Sequence, residues 1–190
     1  MDASEFRNYI LGLIFYRFLS EKAEAEVAEA LSDEEITYEE AWKDEEYRED
    51  LKEELIENVG YYIEPQDLFS SMVKEIENQR FDIEHLSQAI RKVETSTLGQ
   101  DSEEDFVGLF SDMDLSSTRL GNTVKDRTAL IGKVMVHLSE LPFVHSDMEI
   151  DMLGDAYEFL IGRFAANAGK KAGEFYTPQQ VSKILPKIVT

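Results

Sequence analysis

Apolar residues recur through the first twenty positions of the chain at the spacing of a helix. One face carries Phe6, Ile10, Leu13, Ile14 and Phe18, and a second face carries Leu11, Phe15 and Leu19. Asp2 is followed three residues later by Glu5, which resembles a capping box with aspartate in place of serine or threonine. Because a helix that is apolar on two sides buries both of them, this segment predicts a helix at the centre of the fold.

The middle of the chain predicts further helices and one short extended segment. Residues 38–56 have the apolar spacing of one or two amphipathic helices, and Gly60 ends that pattern. Residues 61–63 are the best candidate for a short strand, and Pro65 at their end suits an edge strand. Helical spacing returns in residues 68–76, 83–93 and 103–110, with a loop predicted at residues 94–100.

Three later segments contain helix-start signals. Residues 115–125 mix turn formers with helix-start residues, and they precede a helix that ends before Pro142 and carries Leu130, Val134, Met135 and Leu138 on one face. Ser146 and Glu149 form a second capping box, ahead of another amphipathic helix. Thr177, Pro178 and Gln180 then have the order of an N-cap, a first helical residue and the acceptor of a capping box.

These patterns predict an all-α fold, mainly a helical bundle with at most one short β-hairpin. The alternating strands of an α/β sheet are absent from the pattern. We predict a helical N-terminal domain at residues 1–145. Residues 146–190 are predicted to contain a helix, a glycine-rich loop and the first helix of a further domain.

The charge of the chain is large and uneven. Nineteen Lys and Arg stand against 40 Asp and Glu, a net charge of −21, and residues 21–57 alone contain 17 acidic and 4 basic residues. Such a surface repels phosphate backbones, so direct DNA contact requires a local basic segment. Residues 161–190 supply one, with five basic residues and one acidic residue. The acidic stretch is interpreted as a solvated helical face or, alternatively, as a docking surface for a basic partner.

Composition also excludes several classes of protein. The chain has no cysteine, which removes disulfides, thiol catalysis and Cys-ligated zinc, and its three histidines lack metal-ligand spacing. The longest apolar run is far shorter than the ~20 residues of a membrane span. The first residues lack the basic region of a signal peptide, so we predict a cytoplasmic location and no membrane partner.

The loop before the last helix has the chemistry of an anion site. A helix N-terminus offers N–H groups and a partial positive charge, which favour a carboxylate or a phosphate. Phe175 and Tyr176 are placed to flank a flat or apolar ligand, and Thr177 adds a hydroxyl. Most helix starts of this kind only cap the helix, so this pattern alone does not define a site.

Three stretches resemble the modification (M) subunits of type I restriction–modification systems. Residues 153–178 read LGDAYEFLIGRFAANAGKKAGEFYTP, residues 120–127 read LGNTVKDR, and the N-terminus combines MDASEF with LGLIFYRFLS at residues 11–20. The likeness is collinear from end to end, and the GEFYTP block is its most specific part.

The resemblance implies an S-adenosylmethionine-dependent DNA methyltransferase that acts on the N6 amino group of adenine. It also implies a specificity (S) subunit, a restriction (R) subunit, a second M subunit and double-stranded DNA as partners. In the family, the FYTP block holds the methionine end of the cofactor. Carried onto this chain, that block predicts cofactor contacts from Glu174, Phe175, Tyr176, Thr177, Pro178 and Gln179.

The chain departs from the family in its catalytic motifs. The glycine-rich cofactor loop, which begins with Asp-Pro, and the NPPF motif that grips a flipped adenine are both absent, since no two of the four prolines are adjacent and none follows Asp or Asn. No catalytic residue is therefore predicted. We expect the chain to be the helical N-terminal region of an M subunit, inactive alone, ahead of a missing α/β methyltransferase domain.

Its expected roles are subunit packing, closure on DNA and provision of the first cofactor motif. Arg119, Lys125 and Arg127, with Lys170 and Lys171, are the candidates for DNA contact. The alternative is a free-standing acidic helical interaction protein, or a DNA mimic whose carboxylates imitate phosphates. A mimic has no need of the basic GKKAGEFYTP segment.

Overall fold

The computed structural model describes residues 3–141. Residues 8–141 belong to one compact unit. Seven α-helices and one 3-10 turn make up the described part. The helices are α1 (Ala3–Ala30), α2 (Tyr38–Ala41), α3 (Glu45–Val59), α4 (Phe69–Glu77), α5 (Ile83–Ser96), α6 (Glu103–Phe106) and α7 (Val124–Ser139), and the 3-10 turn is Pro65–Asp67. Within this part of the chain, the all-α prediction is confirmed.

Helix α1 lies in the core of the described unit, as predicted, but the predicted faces are buried only in part. Leu13, Ile14 and Leu19 are buried, whereas the other five predicted residues are half-buried, and Tyr9 and Tyr16 are buried in addition. Leu13 and Tyr16 are fully buried, and Gly12 lies so close to Met113 that an added Cβ would be 2.6 Å from its sulfur. Arg17 is also buried, and its guanidinium donates to Glu21 and to the Leu138 carbonyl at the end of α7. Helix α7 in turn packs against α4 and α5. The core therefore connects the first and last helices of the described unit.

Three tyrosines, of which Tyr16 and Tyr61 are buried and Tyr38 is half-buried, join distant segments by donating to backbone carbonyls. Tyr16 donates to Asp67 O at 2.6 Å, Tyr61 to Leu19 O at 2.8 Å and Tyr38 to Ile63 O at 2.6 Å. A buried carbonyl without a partner costs free energy, so each of these bonds satisfies a group that burial would otherwise penalise.

The strand predicted at residues 61–63 is wrong. Residues 61–64 have no regular secondary structure, and none of residues 3–141 forms a β-strand or hairpin. Side chains occupy the backbone groups that a second strand would need. The Tyr62 N–H donates to Ser96 Oγ at 3.3 Å, and the Ile63 carbonyl accepts from Tyr38.

Helix boundaries differ from the sequence prediction at two places. Helix α5 continues to Ser96, so the predicted loop at residues 94–100 begins later. Helix α6 ends at Phe106 rather than at residue 110, because Val107 is extended and Gly108 has a φ of +73°. Residues 38–56 do form two helices, and α3 ends at Gly60 with a φ of +84°.

We expect the stability of this domain to fall in alkaline solution. Burial raises the pKa of Tyr16, Tyr38 and Tyr61 above the ordinary value of 10.0, and nearby carboxylates add to the shift. Above pH 10 the unfolded chain therefore loses phenolic protons that the folded chain retains. Unfolding becomes easier by about 1.4 kcal/mol per pH unit for each fully buried phenol, and this stability is fully present below pH 10.

Urea denaturation at pH 8, 10 and 11 measures this effect. Tyr61→Phe removes one of the three hydroxyl groups, so its stability should decline less steeply with pH. Equal free energies of unfolding at pH 8 and pH 11 would contradict the burial of these phenols.

Candidate nucleic-acid interface

The structure describes three of the predicted site residues. Arg119, Lys125 and Arg127 lie in or beside the first turn of α7. The predicted cofactor residues 174–179, together with Lys170 and Lys171, lie outside the described residues. The geometry of the site is therefore that of α7 and the loop before it.

Helix α7 begins with a capping box whose N-cap lies within the segment of helix-start residues predicted at 115–125. Thr123 is the N-cap, and its hydroxyl accepts from the Asp126 N–H at 3.1 Å. The Asp126 carboxylate returns the contact by accepting from the Thr123 N–H at 3.2 Å and from its hydroxyl at 2.8 Å. Because both residues are close in sequence, this helix start is set locally and holds Lys125 and Arg127 in fixed register.

Gly121 allows the preceding loop to lie against this helix start. A Cβ added at Gly121 would lie 2.5 Å from the Asp126 Cβ and 3.0 Å from the Arg127 nitrogen. Neither atom is the end of a flexible side chain, so any larger residue must displace the loop from α7. Neighbouring Leu120 is buried and anchors the loop to the core.

Arg127 is half-buried and has few partners. Its Nη1 donates to the Gly121 carbonyl at 3.4 Å, the one side-chain hydrogen bond that it makes among the described residues. Its Nε is buried without a hydrogen-bond partner in that part of the chain. A guanidinium carries five N–H donors, so Arg127 retains capacity to bind an oxygen-rich anion.

Lys125 and Arg119 are both exposed, but they do not form one cluster with Arg127. Lys125 and Arg127 are two positions apart on a helix, so their side chains point to different faces. Arg119 lies in the turn before Gly121, where its N–H donates to Ser117 Oγ at 3.4 Å. The three cations lie within nine residues of one another in sequence, at the start of α7 and in the loop before it.

This region is a local exception to the acidity of the chain. Residues 119–133 contain four basic residues and one acidic residue, Asp126, and Asp126 is engaged in the capping box. In sequence, the start of α7 therefore carries net positive charge within an otherwise acidic chain.

A second polar cluster, which the sequence analysis missed, joins the Pro65–Asp67 turn to α4 and α5. Asp67 is only 2% exposed, and its carboxylate accepts from His85 Nε2 and Lys92 Nζ, each at 2.8 Å. Lys92 also contacts Glu64 at 3.0 Å, and His85 Nδ1 lies 3.2 Å from Glu75. Hydrogen bonds to the two carboxylates raise the pKa of Lys92 despite an opposing effect of burial.

We interpret this cluster as structural. Each of its polar groups has a partner within the cluster. Surface grooves border α3, and no residue of the cluster lines them. No group of three or more potential ligands among the residues that the structure describes is arranged to hold a metal ion. No helix in that part of the chain is long and apolar enough to cross a membrane.

Two family models match successive parts of the chain. The HsdM N-terminal domain matches residues 1–138, and the N-6 DNA Methylase family matches residues 148–190. The first match covers the whole of α1 to α6 and nearly all of α7.

Curated relatives and a solved structure agree with these matches. The type I restriction enzyme MpnII methylase subunit of Mycoplasma pneumoniae is 36% identical over 99% of this chain and 36% of its own length. The MjaIX methylase subunit of Methanocaldococcus jannaschii is 26% identical over 100% of this chain and 32% of its own length. The crystal structure of a type I restriction–modification methyltransferase subunit from Streptococcus thermophilus has a TM-score of 0.83 and 39% identity, over 99% of this chain and 40% of that one.

The chain thus spans about a third of the length of the curated relatives that it matches. The helical fold, the collinear family matches and the structural likeness agree with one another. The chain belongs to the HsdM N-terminal domain family, the helical N-terminal region of type I restriction–modification methyltransferase subunits.

Proposed function

We propose that this chain is the N-terminal part of a subunit that transfers a methyl group from S-adenosylmethionine to adenine N6 in double-stranded DNA. The observation that carries the proposal is the collinear match to the HsdM N-terminal domain at residues 1–138 and to the N-6 DNA methylase family at residues 148–190. Because the glycine-rich loop and the NPPF motif are missing from its sequence, the chain alone is inactive and depends on a catalytic domain.

We propose different roles for two successive parts of the chain. Residues 1–145 form a helical domain for subunit packing and DNA closure, and residues 146–190 lead into the catalytic domain. S-adenosylmethionine supplies the methyl group when it is bound. Residues 174–179 contact its methionine end, for which a helix start and a threonine hydroxyl are suitable partners.

Thr177→Ala in the full-length subunit tests the cofactor site. We expect weaker binding of S-adenosylmethionine with little loss of stability, since one N-cap contributes about 1 kcal/mol. Isothermal titration calorimetry measures the affinity, and thermal unfolding is the control. Thr177→Ser retains the hydroxyl and should bind nearly as the natural protein does. Equal affinities of the alanine and serine variants for S-adenosylmethionine would show that the Thr177 hydroxyl does not contribute to the cofactor site.

DNA contact is proposed for Arg119, Lys125 and Arg127, with Lys170 and Lys171. The local positive charge of residues 119–133 supports this proposal, as does the Arg127 guanidinium with its single long hydrogen bond in the described residues. Phosphate oxygens are the acceptors that such donors fit. These contacts position DNA without reading its sequence.

The proposed partners are the S subunit, the R subunit and a second M subunit, in the cytoplasm and apart from any membrane. Membership of the family disfavours the alternative of a free-standing acidic protein or DNA mimic. The acidic face of residues 21–57 is then a solvated surface of a larger assembly.

A further inference from the structure

Helix α7 exposes a row of residues that carries two lysines and no carboxylate. Lys125, Ala129, Lys133 and His137 follow one another at intervals of four residues, so they lie on one face of the helix. All four are exposed, and we call them the α7 stripe. The buried residues Ile131 and Met135 lie on the opposite side of the helix, where α7 packs against α4 and α5. Packing of the buried side therefore fixes the stripe toward solvent.

The two lysines of the stripe have no carboxylate beside them along the helix. The residues three and four positions away from Lys125 and from Lys133 include neither Asp nor Glu. No ion pair engages either lysine among the residues that the structure describes. The other lysines of that part of the chain each have a glutamate three or four positions away or an ion pair with one, and they are Lys22, Lys43, Lys52, Lys74 and Lys92.

The one carboxylate within α7 is already engaged. Asp126 accepts from Thr123 in the capping box at the helix start. It lies seven residues before Lys133, which is about 10 Å along the helix axis. The positive charge of Lys133 is therefore not compensated within its own helix, although the chain as a whole is strongly acidic.

We propose that the α7 stripe lies along the sugar–phosphate backbone of duplex DNA and that Lys133 contacts a phosphate. The inference rests on the proposed function and extends its DNA contacts from the start of α7 along the exposed face of the helix. Lysine ammonium groups donate to phosphate oxygens without reading sequence. Ala129 separates the two lysines, and its short side chain leaves room for the helix to approach the backbone.

The spacing of the stripe suits two separate phosphate contacts. Lys125 and Lys133 are eight residues apart, which is about 12 Å along the helix axis. Each strand of B-DNA carries one phosphate per about 3.4 Å of its axis, so the two lysines reach different phosphates. The contact ends near His137, because the Glu140 carboxylate lies 3.7 Å from His137 Nδ1 and repels phosphate. An acidic protein surface would attract the same lysines, but the stripe begins at Lys125, where DNA contact is already proposed.

DNA binding by the full-length subunit, assembled with its S subunit, tests this surface. We expect Lys133→Gln to weaken binding of a labelled duplex by about three- to tenfold at moderate salt. Loss of one phosphate contact should reduce the slope of log affinity against log salt by about 1. Lys43→Gln is the matched control, since it makes the same charge change at an exposed lysine with glutamates nearby. It should bind within about twofold of the natural protein, as expected for a lysine that contacts no phosphate. Fluorescence anisotropy over a series of salt concentrations measures both quantities.

A substitution between the two lysines tests the stripe without removing either of them. Ala129→Glu places a carboxylate four residues from both Lys125 and Lys133, where it pairs with them on the helix surface. We expect DNA binding to weaken by about tenfold or more and the salt slope to fall by about 2, with an unchanged melting temperature. Ala129→Gln adds nearly the same bulk without the charge, so it should retain the natural salt slope.

Natural affinity and a natural salt slope in both Lys133→Gln and Ala129→Glu would overturn the inference. Weaker assembly with the S or R subunit at unchanged DNA affinity would also overturn it, because the stripe would then bind an acidic protein surface. If the unaltered complex neither binds nor methylates duplex DNA, the proposed function fails together with the inference. If the unaltered complex does both and the two variants match it, only the inference fails.

Discussion

Asp67→Asn is expected to lower the free energy of unfolding by about 3 kcal/mol, since removing one partner of a buried ion pair is strongly destabilising. Asp67 is the buried acceptor shared by His85 and Lys92, and its backbone carbonyl accepts from Tyr16 of α1. An asparagine of the same size keeps one acceptor oxygen but turns donor N–H groups toward cationic partners. The partial exposure of Lys92 and His85 allows water to reach them, which keeps the cost at the low end of the range.

Urea denaturation and thermal unfolding at pH 7 measure this loss. The melting temperature should fall by roughly 6–12 °C for a domain of this size. Glu64→Gln is the matched control. It removes an exposed contact of the same Lys92, and it should cost less than about 1 kcal/mol. Equal losses in the two variants would show that Asp67 is not the centre of the cluster.

Reversing the charge of Arg119 and Lys125 in the full-length subunit is expected to weaken DNA binding by roughly 10- to 100-fold at moderate salt. Both side chains are exposed, so the fold should tolerate Arg119→Glu and Lys125→Glu. Loss of two phosphate contacts should also reduce the slope of log affinity against log salt by about 2. Fluorescence anisotropy of a labelled duplex, in complex with the S subunit, measures both quantities.

A double variant at Lys43 and Arg91 controls for net charge. Lys43→Glu with Arg91→Glu changes the charge of the protein by the same amount at exposed positions outside residues 119–133. This variant should bind with a nearly normal salt slope, because it removes no phosphate contact. Equal effects of the two double variants on DNA affinity and on its salt slope would show that only the total charge matters. That result would contradict DNA contact at the start of α7.

The elements predicted correctly from sequence are those whose conformation is set by residues close to them in sequence. The start of α7 follows from Thr123 and Asp126, which lie three residues apart, and the end of α3 follows from Gly60. The burial of α1 follows in part from its apolar spacing, which predicts Leu13, Ile14 and Leu19 but not Tyr16. In each case, a few neighbouring residues decide the conformation, so periodicity and capping chemistry are sufficient.

The predictions that failed concern positions whose conformation or contacts are set by residues distant in sequence. Residues 61–63 have strand-like composition, but Tyr38 and Ser96 occupy their backbone groups. Asp67 lies 18 residues from His85 and 25 from Lys92, so no motif joins them. Basic residues near α7 were predictable as candidates for DNA contact, whereas the half-burial of Arg127 depends on the Gly121 loop.

Methylation of DNA by the full-length subunit, assembled with its S subunit, tests the central claim most directly. Duplex DNA is incubated with isotope-labelled S-adenosylmethionine, digested to nucleosides and analysed by mass spectrometry. We expect labelled N6-methyladenine, and none when residues 1–190 are supplied alone. An assembled complex that leaves adenine unlabelled, or that places the label on cytosine, would contradict that claim.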